Sequence, residues 1–181
     1  MTCARYLTFT AVAGLTVVLT AAIPTPLKFV WNVSASVPVG LYRVEPVEQI
    51  AVTDLLAVNP PEPLASFMIA RGYIGRDVPL LKRVMGLPGQ RVCRQGRSIT
   101  VDGVPIGDTL ERDRIGRSLP IWRGCRRIAD GELFLMNPDV SDSLDGRYFG
   151  PIAARDVVGR ATPLWTDEQD DGRFVWHAPT R

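Results

Sequence analysis

Histidine and lysine are scarce in this chain of 181 residues, which contains one histidine and two lysines among its charged residues. The histidine, His177, lies near the carboxyl terminus. A catalytic triad that depends on histidine, or a zinc site of clustered Cys and His, is therefore disfavoured. The net charge is only +2 and the charges of both signs are interspersed, which argues against a nucleic-acid-binding surface. We predict no metal and no cofactor.

Ionisable side chains are also absent from one run, residues 7–23, which Arg5 precedes. As a helix this run would be about 26 Å long, slightly short of the ~30 Å hydrocarbon core of a bilayer. Two interpretations fit: an uncleaved signal anchor, with a transmembrane helix over about 7–23 within a segment 1–28, or a signal peptide cleaved after Ala22. Isoleucine followed by proline would be a poor start for a mature chain, which favours the anchor. Both interpretations place the rest of the chain outside the cytoplasm.

Cysteine occurs three times, and only Cys93 and Cys125 lie in the exported part of the chain. Disulfides persist outside the cytoplasm. We therefore predict a bridge between Cys93 and Cys125, with two buried free thiols as the alternative.

Long apolar runs are absent after the first segment, and fifteen prolines and sixteen glycines indicate many turns. We predict a mainly β fold, an antiparallel sheet or partial barrel over residues 29–165, followed by a polar tail over 166–181. The predicted strands are 41–44, 55–58, the run that contains Lys82, 91–94, 98–101, 132–136 and 157–164. A short helix over 64–73 and a polar loop over 107–120 complete the domain.

Lys82 stands in an apolar run that the turn residues 86–89 close. Because side chains alternate along a strand, Lys82 shares a face with Leu80 and Val84, while Arg83 faces the other way. One interpretation is a lysine that extends its amine to water. The other is a desolvated lysine that burial makes able to lose its proton and act as a base. Arginine could not do so, because it keeps its proton.

Ser34 and Ser36 lie in a segment, residues 32–42, that also contains Pro38 and Gly40. If the segment is extended, the two serines face the same way. Pro38 cannot donate a ladder hydrogen bond, and Gly40 permits close approach of another backbone. These properties suit a place where a peptide lies beside a nucleophile. The alternative is a polar linker.

Ser143, Asp145 and Arg147 are spaced two apart, so an extended strand would project them on one face. Asp145 and Arg147 could then form an ion pair that fixes the local geometry. A calcium loop is disfavoured, because the spacing and the closing glutamate of an EF-hand are absent.

Taken together and in this order, three segments resemble the type I signal peptidase family of serine–lysine endopeptidases. They are residues 34–38 (SASVP), 81–89 (LKRVMGLPG) and 143–150 (SLDGRYFG). The resemblance is closer to the conjugative-transfer, TraF-type branch, whose serine box is present over 34–42. General signal peptidases carry methionine after the nucleophile and one more residue before the proline. Val37 directly before Pro38 departs from that pattern and favours the specialised branch.

The resemblance implies a role for each residue of the three segments. Ser36 would be the nucleophile and Lys82 the general base. Ser34 would help the Ser36 N–H to hold the oxyanion, and Ser143 would orient Lys82. Asp145 and Arg147 would brace the site.

The resemblance also implies a bacterial inner-membrane protein whose catalytic domain lies in the periplasm. Its partner would be a peptide or protein substrate that emerges from the membrane, such as a conjugative pilin precursor, with cyclisation of the product permitted. Other conjugative transfer components are further candidate partners. One alternative is a non-catalytic β module of a secretion or conjugation assembly. A self-cleaving repressor is disfavoured, because an apolar run stands where its DNA-binding helices would be.

Overall fold

The computed structural model describes residues 3–22 and 26–179. The other residues lie outside the description, among them Ile23 at the end of the predicted transmembrane helix. A helix, α1, occupies Cys3–Ala22, where the sequence predicts one. Within the two described ranges no helix is both long enough and apolar enough to cross a membrane, so the transmembrane prediction stays unconfirmed.

Twelve strands and two further helices follow α1 in the described residues. The strands are β1 Phe29–Asn32, β2 Val39–Glu45, β3 Leu55–Val58, β4 Leu80–Gly86, β5 Arg91–Gln95, β6 Ser98–Val101, β7 Val104–Asp108, β8 Gly124–Arg127, β9 Glu132–Met136, β10 Ile152–Ala153, β11 Val157–Asp167 and β12 Val175–Trp176. The helices are α2 Leu64–Ala70 and α3 Gly146–Phe149, and a single 3-10 turn covers Ala154–Asp156.

The strands form two antiparallel sheets. The larger has the order β1-β2-β11-β3-β4-β9-β10, with β12 paired to β11, and the smaller has the order β7-β6-β5-β8. β3 and β4 lie in the middle of the larger sheet and are buried on both faces. Leu56 and Val84 pack on one face, and Leu55 and Leu81 pack on the other. The central position of β4 brings Lys82 into the interior.

The mainly β architecture is confirmed, and β3, β6 and β9 have the predicted bounds. α2 begins at the predicted residue but ends at Ala70, before Arg71 and Gly72. The predicted strands 91–94 and 98–101 are joined as a hairpin, in which Gln95 pairs with Ser98. Short apolar strands between turn residues were therefore a sound basis for locating the sheets.

Two segments that the sequence analysis considered as extended are not extended. Residues 34–37 form a turn between β1 and β2, and Ser143 lies in a turn that leads to Asp145, the N-terminal cap of α3. In both segments, side-chain hydrogen bonds to the main chain replace a sheet ladder, as Asn and Asp commonly arrange.

Residues 166–179, the described part of the predicted polar tail, contain regular structure. β11 continues through Thr166 and Asp167, and β12 pairs with it inside the predicted tail. The limits of the predicted β domain, 29–165, remain a prediction.

Candidate active site

β4 carries Lys82 into the larger sheet, where the residue is only 4% exposed. It pairs across the sheet with Leu56, and its Nζ donates a 2.8 Å hydrogen bond to Oγ of Ser143. Burial lowers the pKa of Lys82 from 10.5 to about 8; the Asp145 carboxylate opposes this shift and the Arg147 guanidinium adds to it. Desolvation destabilises the ammonium form, so a neutral amine becomes accessible close to physiological pH.

The two serines lie in a turn between β1 and β2, residues 33–38, which we call the serine turn. The buried side chain of Asn32 organises it. Its Nδ2 donates to the carbonyl oxygens of Ser34, Val37 and Pro38 at 2.7, 3.0 and 3.1 Å, and its Oδ1 accepts from the Ser34 N–H at 3.1 Å. The turn thus depends on one amide that satisfies several main-chain groups at once.

The hydroxyl groups of Ser34 and Ser36 lie 2.9 Å apart. Ser34 Oγ also donates to Oδ1 of Asn32 at 3.1 Å. A hydroxyl has one proton, so Ser36 is the donor in the contact between the two serines. No hydrogen bond joins Ser36 Oγ to Lys82 Nζ, and the Ser36 N–H has no acceptor among the described residues.

Asp145 and Arg147 form a buried ion pair, with 0% and 1% of their side chains exposed. Two guanidinium nitrogens of Arg147 contact the two carboxylate oxygens at 2.8 and 2.9 Å. The guanidinium also donates to the carbonyl oxygens of Val140 and Ser143 at 2.6 and 3.3 Å. The pair therefore holds the loop that presents Ser143 to Lys82.

Asn137 is a residue of the site that the sequence analysis missed. It is 3% exposed, and its Nδ2 donates to the carbonyl oxygens of Ser36 and Leu81 at 2.8 and 3.1 Å. Its Oδ1 accepts from the Arg83 N–H at 3.1 Å, and its own N–H donates to Asp145 Oδ2 at 3.1 Å. In the sequence, Asn137 precedes a proline, a pair that is typical of a turn. Nothing in that pair indicates hydrogen bonds to Ser36, Leu81 or Arg83.

A cavity of about 590 Å³ opens beside the serine turn. Ser36 lines it and Lys82 does not, so the amine does not open to the cavity. Its walls combine apolar side chains, among them Val37, Pro38, Tyr42, Leu55, Val140 and Pro163, with the charged side chains of Arg83, Asp139, Asp167, Glu168 and Asp170. Apolar walls with a few polar groups are typical of ligand sites.

Cys93 and Cys125 face each other on the paired strands β5 and β8 and form a disulfide. Within residues 3–22 and 26–179 no group of His, Cys, Asp and Glu side chains is arranged to hold a metal ion.

Two curated relatives are conjugal transfer proteins. The chain is 38% identical over 115 residues to the conjugal transfer protein TraF of Agrobacterium fabrum (strain C58 / ATCC 33970), a match that covers 58% of this chain and 64% of the relative. It is 34% identical over 113 residues to the TraF of Agrobacterium tumefaciens (strain 15955), covering 58% of this chain and 56% of that protein. The chain thus spans less than two thirds of the length of these relatives.

A solved structure with similarity to the chain is a signal peptidase I from Enterococcus faecalis V583. The two share 21% identity, with a TM-score of 0.37, over 63% of this chain and 97% of the other. The family model for signal peptidase, peptidase S26, matches residues 3–165, which is most of the sequence. The chain therefore belongs to the signal peptidase family, peptidase S26.

Proposed function

We propose that this protein is a serine endopeptidase in which Ser36 is the nucleophile and Lys82 the general base. The observation that carries the proposal is the buried amine of Lys82, whose pKa burial lowers to about 8. It lies on a strand that Asn137 joins to the main chain of Ser36. A base with a pKa near the working pH is what proton abstraction from a serine requires.

The reaction follows from these groups. Neutral Lys82 accepts the Ser36 proton while Ser36 Oγ attacks the scissile carbonyl carbon, and the carbonyl oxygen becomes an oxyanion. The Ser36 N–H and the Ser34 hydroxyl then donate to that oxygen, and donors of this kind contribute about 2.7–4 kcal/mol each. The protonated Lys82 next gives its proton to the leaving amine, which breaks the peptide bond and leaves an acyl–enzyme. Water, or an amine of the substrate, releases the acyl group.

The reactive arrangement needs two changes of hydrogen-bond partner. Ser36 Oγ donates to Ser34 rather than to Lys82, so its proton has to turn from Ser34 to the amine. The Ser34 proton is donated to Asn32 Oδ1, so it has to leave that oxygen before Ser34 can donate to the oxyanion. Catalytic hydrogen bonds often form only when substrate is bound, and a substrate in the cavity that Ser36 lines would lie against this same hydroxyl.

The substrate class is proposed from the relatives. Both curated matches are conjugal transfer proteins, so we propose a leader peptide or pilin precursor that is processed at the outer face of the cytoplasmic membrane. The acyl–enzyme would be resolved by water, or by the amino terminus of the substrate to give a cyclic product. The other components of the transfer machinery are proposed partners.

Membrane attachment is part of the proposal, and a row of aromatic rings supports it. Leu41 of β2 pairs with Trp31 of β1 on one side and with Trp165 of β11 on the other. Trp165 in turn pairs with Trp176 of β12. The ring centroids of Trp31 and Trp165 are 6.3 Å apart, those of Trp165 and Trp176 are 5.8 Å apart, and all three side chains are exposed. Tryptophan is enriched where proteins meet the membrane–water interface. β1 follows α1, whose apolar side chains are also exposed.

Lipids with brominated acyl chains will test this attachment. The test variant is the whole chain with Trp122→Phe, which keeps the three tryptophans of the row. In vesicles of phosphatidylcholine and phosphatidylglycerol, we expect bromolipid to quench the tryptophan fluorescence of this variant more than that of its control. The matched control changes those three to phenylalanine and keeps Trp122, which lies half-buried in the smaller sheet's core and donates to the Gly146 carbonyl. Equal quenching of the two proteins would contradict the proposal.

Acylation of Ser36 tests the catalytic assignment. With the p-nitrophenyl ester of N-acetyl-dialanine, we expect a burst of p-nitrophenolate equal to the enzyme concentration, and tandem mass spectrometry should find the acyl group on Ser36. Ser36→Ala should show no burst, because the nucleophile is missing. Ser66→Ala, which removes an exposed hydroxyl on α2, should behave as the unchanged protein. A burst that survives Ser36→Ala would assign the nucleophile elsewhere.

A further inference from the structure

The side chain of Asn137 joins parts of the chain that are far apart in sequence. Ser36 is 101 residues away and Leu81 is 56 residues away, yet both of their carbonyl oxygens accept from the same Nδ2. The Arg83 N–H donates to the other end of the amide. All atoms of the amide that can make hydrogen bonds are therefore used, and the side chain is 3% exposed.

The two main-chain contacts on β4 lie on either side of Lys82. β9 pairs with β4 at Arg83↔Met136 and Val84↔Leu135, and Asn137 is the first residue past that ladder. Its amide offers a donor and an acceptor in the same sense as a peptide group. Through its hydrogen bonds to Leu81 and Arg83, the Asn137 side chain therefore extends the hydrogen-bonded ladder of β4 and β9 by one residue, opposite Lys82.

The same amide then reaches the serine turn. Asn32 shapes that turn internally through the carbonyl oxygens of Ser34, Val37 and Pro38. The carbonyl of Ser36 is left for Asn137. One asparagine therefore sets the conformation of the turn, and the other sets where the turn lies relative to β4.

We propose that Asn137 is a positioning residue that fixes the main chain of Ser36 against the strand segment that carries Lys82. The inference rests on the proposed function, in which Lys82 takes the Ser36 proton. Proton transfer needs the two heavy atoms within about 2.6–3.2 Å, and a displacement of about 1 Å can cost about 100-fold in rate. Ser36 and Lys82 make no hydrogen bond to each other, so their separation depends on such main-chain ties.

The test is the rate constant of Ser36 acylation, measured as the burst of p-nitrophenolate from the ester of N-acetyl-dialanine. For Asn137→Ala we expect an acylation rate constant about 100-fold below that of the unchanged protein, with a burst amplitude that still matches the enzyme concentration. A loss of folded protein would lower the amplitude and leave the rate constant unchanged. An acylation rate constant within threefold of the unchanged protein would overturn the inference.

Asn137→Asp keeps the inference testable if the alanine variant does not fold. Aspartate retains the volume and the acceptor for the Arg83 N–H, but it places an oxygen against the carbonyls of Ser36 and Leu81. The added carboxylate raises the pKa of Lys82, so the rate should be measured as a function of pH and compared with that of the unchanged protein at the high-pH plateau of each profile. Again we expect a fall of about 100-fold, and a rate within threefold of the unchanged protein would refute the positioning role.

A matched control separates this role from general loosening of the sheet. Gln90 is another amide side chain that holds a turn next to β4: it accepts from the Leu87 N–H at 2.8 Å and donates to Asp102 at 2.8 Å. It does not contact Ser36, so Gln90→Ala should leave the acylation rate constant unchanged. If the unchanged protein shows no burst, the proposed function fails. If it shows a burst that Asn137→Ala does not slow, only the positioning inference fails.

Discussion

Lys82→Arg is expected to lower the acylation rate of Ser36 by about 10³-fold or more, although it keeps the positive charge. General base catalysis contributes about 10²–10⁴-fold, and arginine does not lose its proton in a protein. The variant therefore removes the base and leaves the cation. Burst kinetics with the p-nitrophenyl ester measure the effect directly.

The other lysine supplies the control. Lys28 is exposed and lies before β1, so Lys28→Arg should leave the acylation rate unchanged. Since Lys82 is 4% exposed, the larger guanidinium will also cost stability, and the burst amplitude should be used to correct for unfolded protein. Turnover by Lys82→Arg within tenfold of the unchanged protein would remove Lys82 from the mechanism.

The pH dependence of the unchanged protein follows from the same burial. Because the pKa of Lys82 is lowered to about 8, the rate should rise through that pH as the amine loses its proton, and it should stay high above it. The stability of the folded protein changes with pH in the same direction as the rate. Between about pH 8 and 10.5 the unfolded chain binds more protons than the folded one, so the free energy of unfolding rises with pH across this window, by about 3 kcal/mol at most. A rate maximum near pH 5 would contradict the assignment.

The chemistry of the site was predictable to the extent that it follows from residue type and alternation. The apolar neighbours of Lys82 on β4 indicated its burial. The ion pair of Asp145 and Arg147 is present, but at the N-terminus of α3 and not on one face of a strand. The turn at Ser34 and Ser36 was not predictable in this way. It is made by one amide of Asn32 that binds several carbonyl oxygens, and no periodic pattern records such a contact.

Two of the missed strands, β7 and β8, were missed for a different physical reason. β7 and β8 are the two edges of the smaller sheet, and edge strands need no apolar alternation. β8 is exposed at each position, and β7 contains Pro105, a residue that sheets tolerate at an edge. Asn137 was missed because its partners are 56 and 101 residues away. Contacts of that separation depend on the fold as a whole.

Asp145→Asn and Arg147→Met are expected to destabilise the protein by similar amounts. They are expected to shift the midpoint of the pH–rate profile of acylation in opposite directions. Each leaves the other member of a fully buried ion pair without its partner, which typically costs about 3–5 kcal/mol. The Asp145 carboxylate favours the ammonium form of Lys82, and the Arg147 guanidinium disfavours it. The midpoint of the rate profile should therefore fall in Asp145→Asn and rise in Arg147→Met.

Urea unfolding at pH 7 measures the first effect, and burst kinetics from pH 6 to 10 measure the second. A role in folding alone predicts that both variants lose stability while the midpoint of the surviving activity stays the same. A role in orienting Ser143 alone predicts slower acylation in both without a change of midpoint. Shifts of opposite sign would instead show that the pair acts on Lys82 through its charges, because the two substitutions disturb the same loop and differ mainly in which charge they remove. Shifts of the same sign would rule out that electrostatic role.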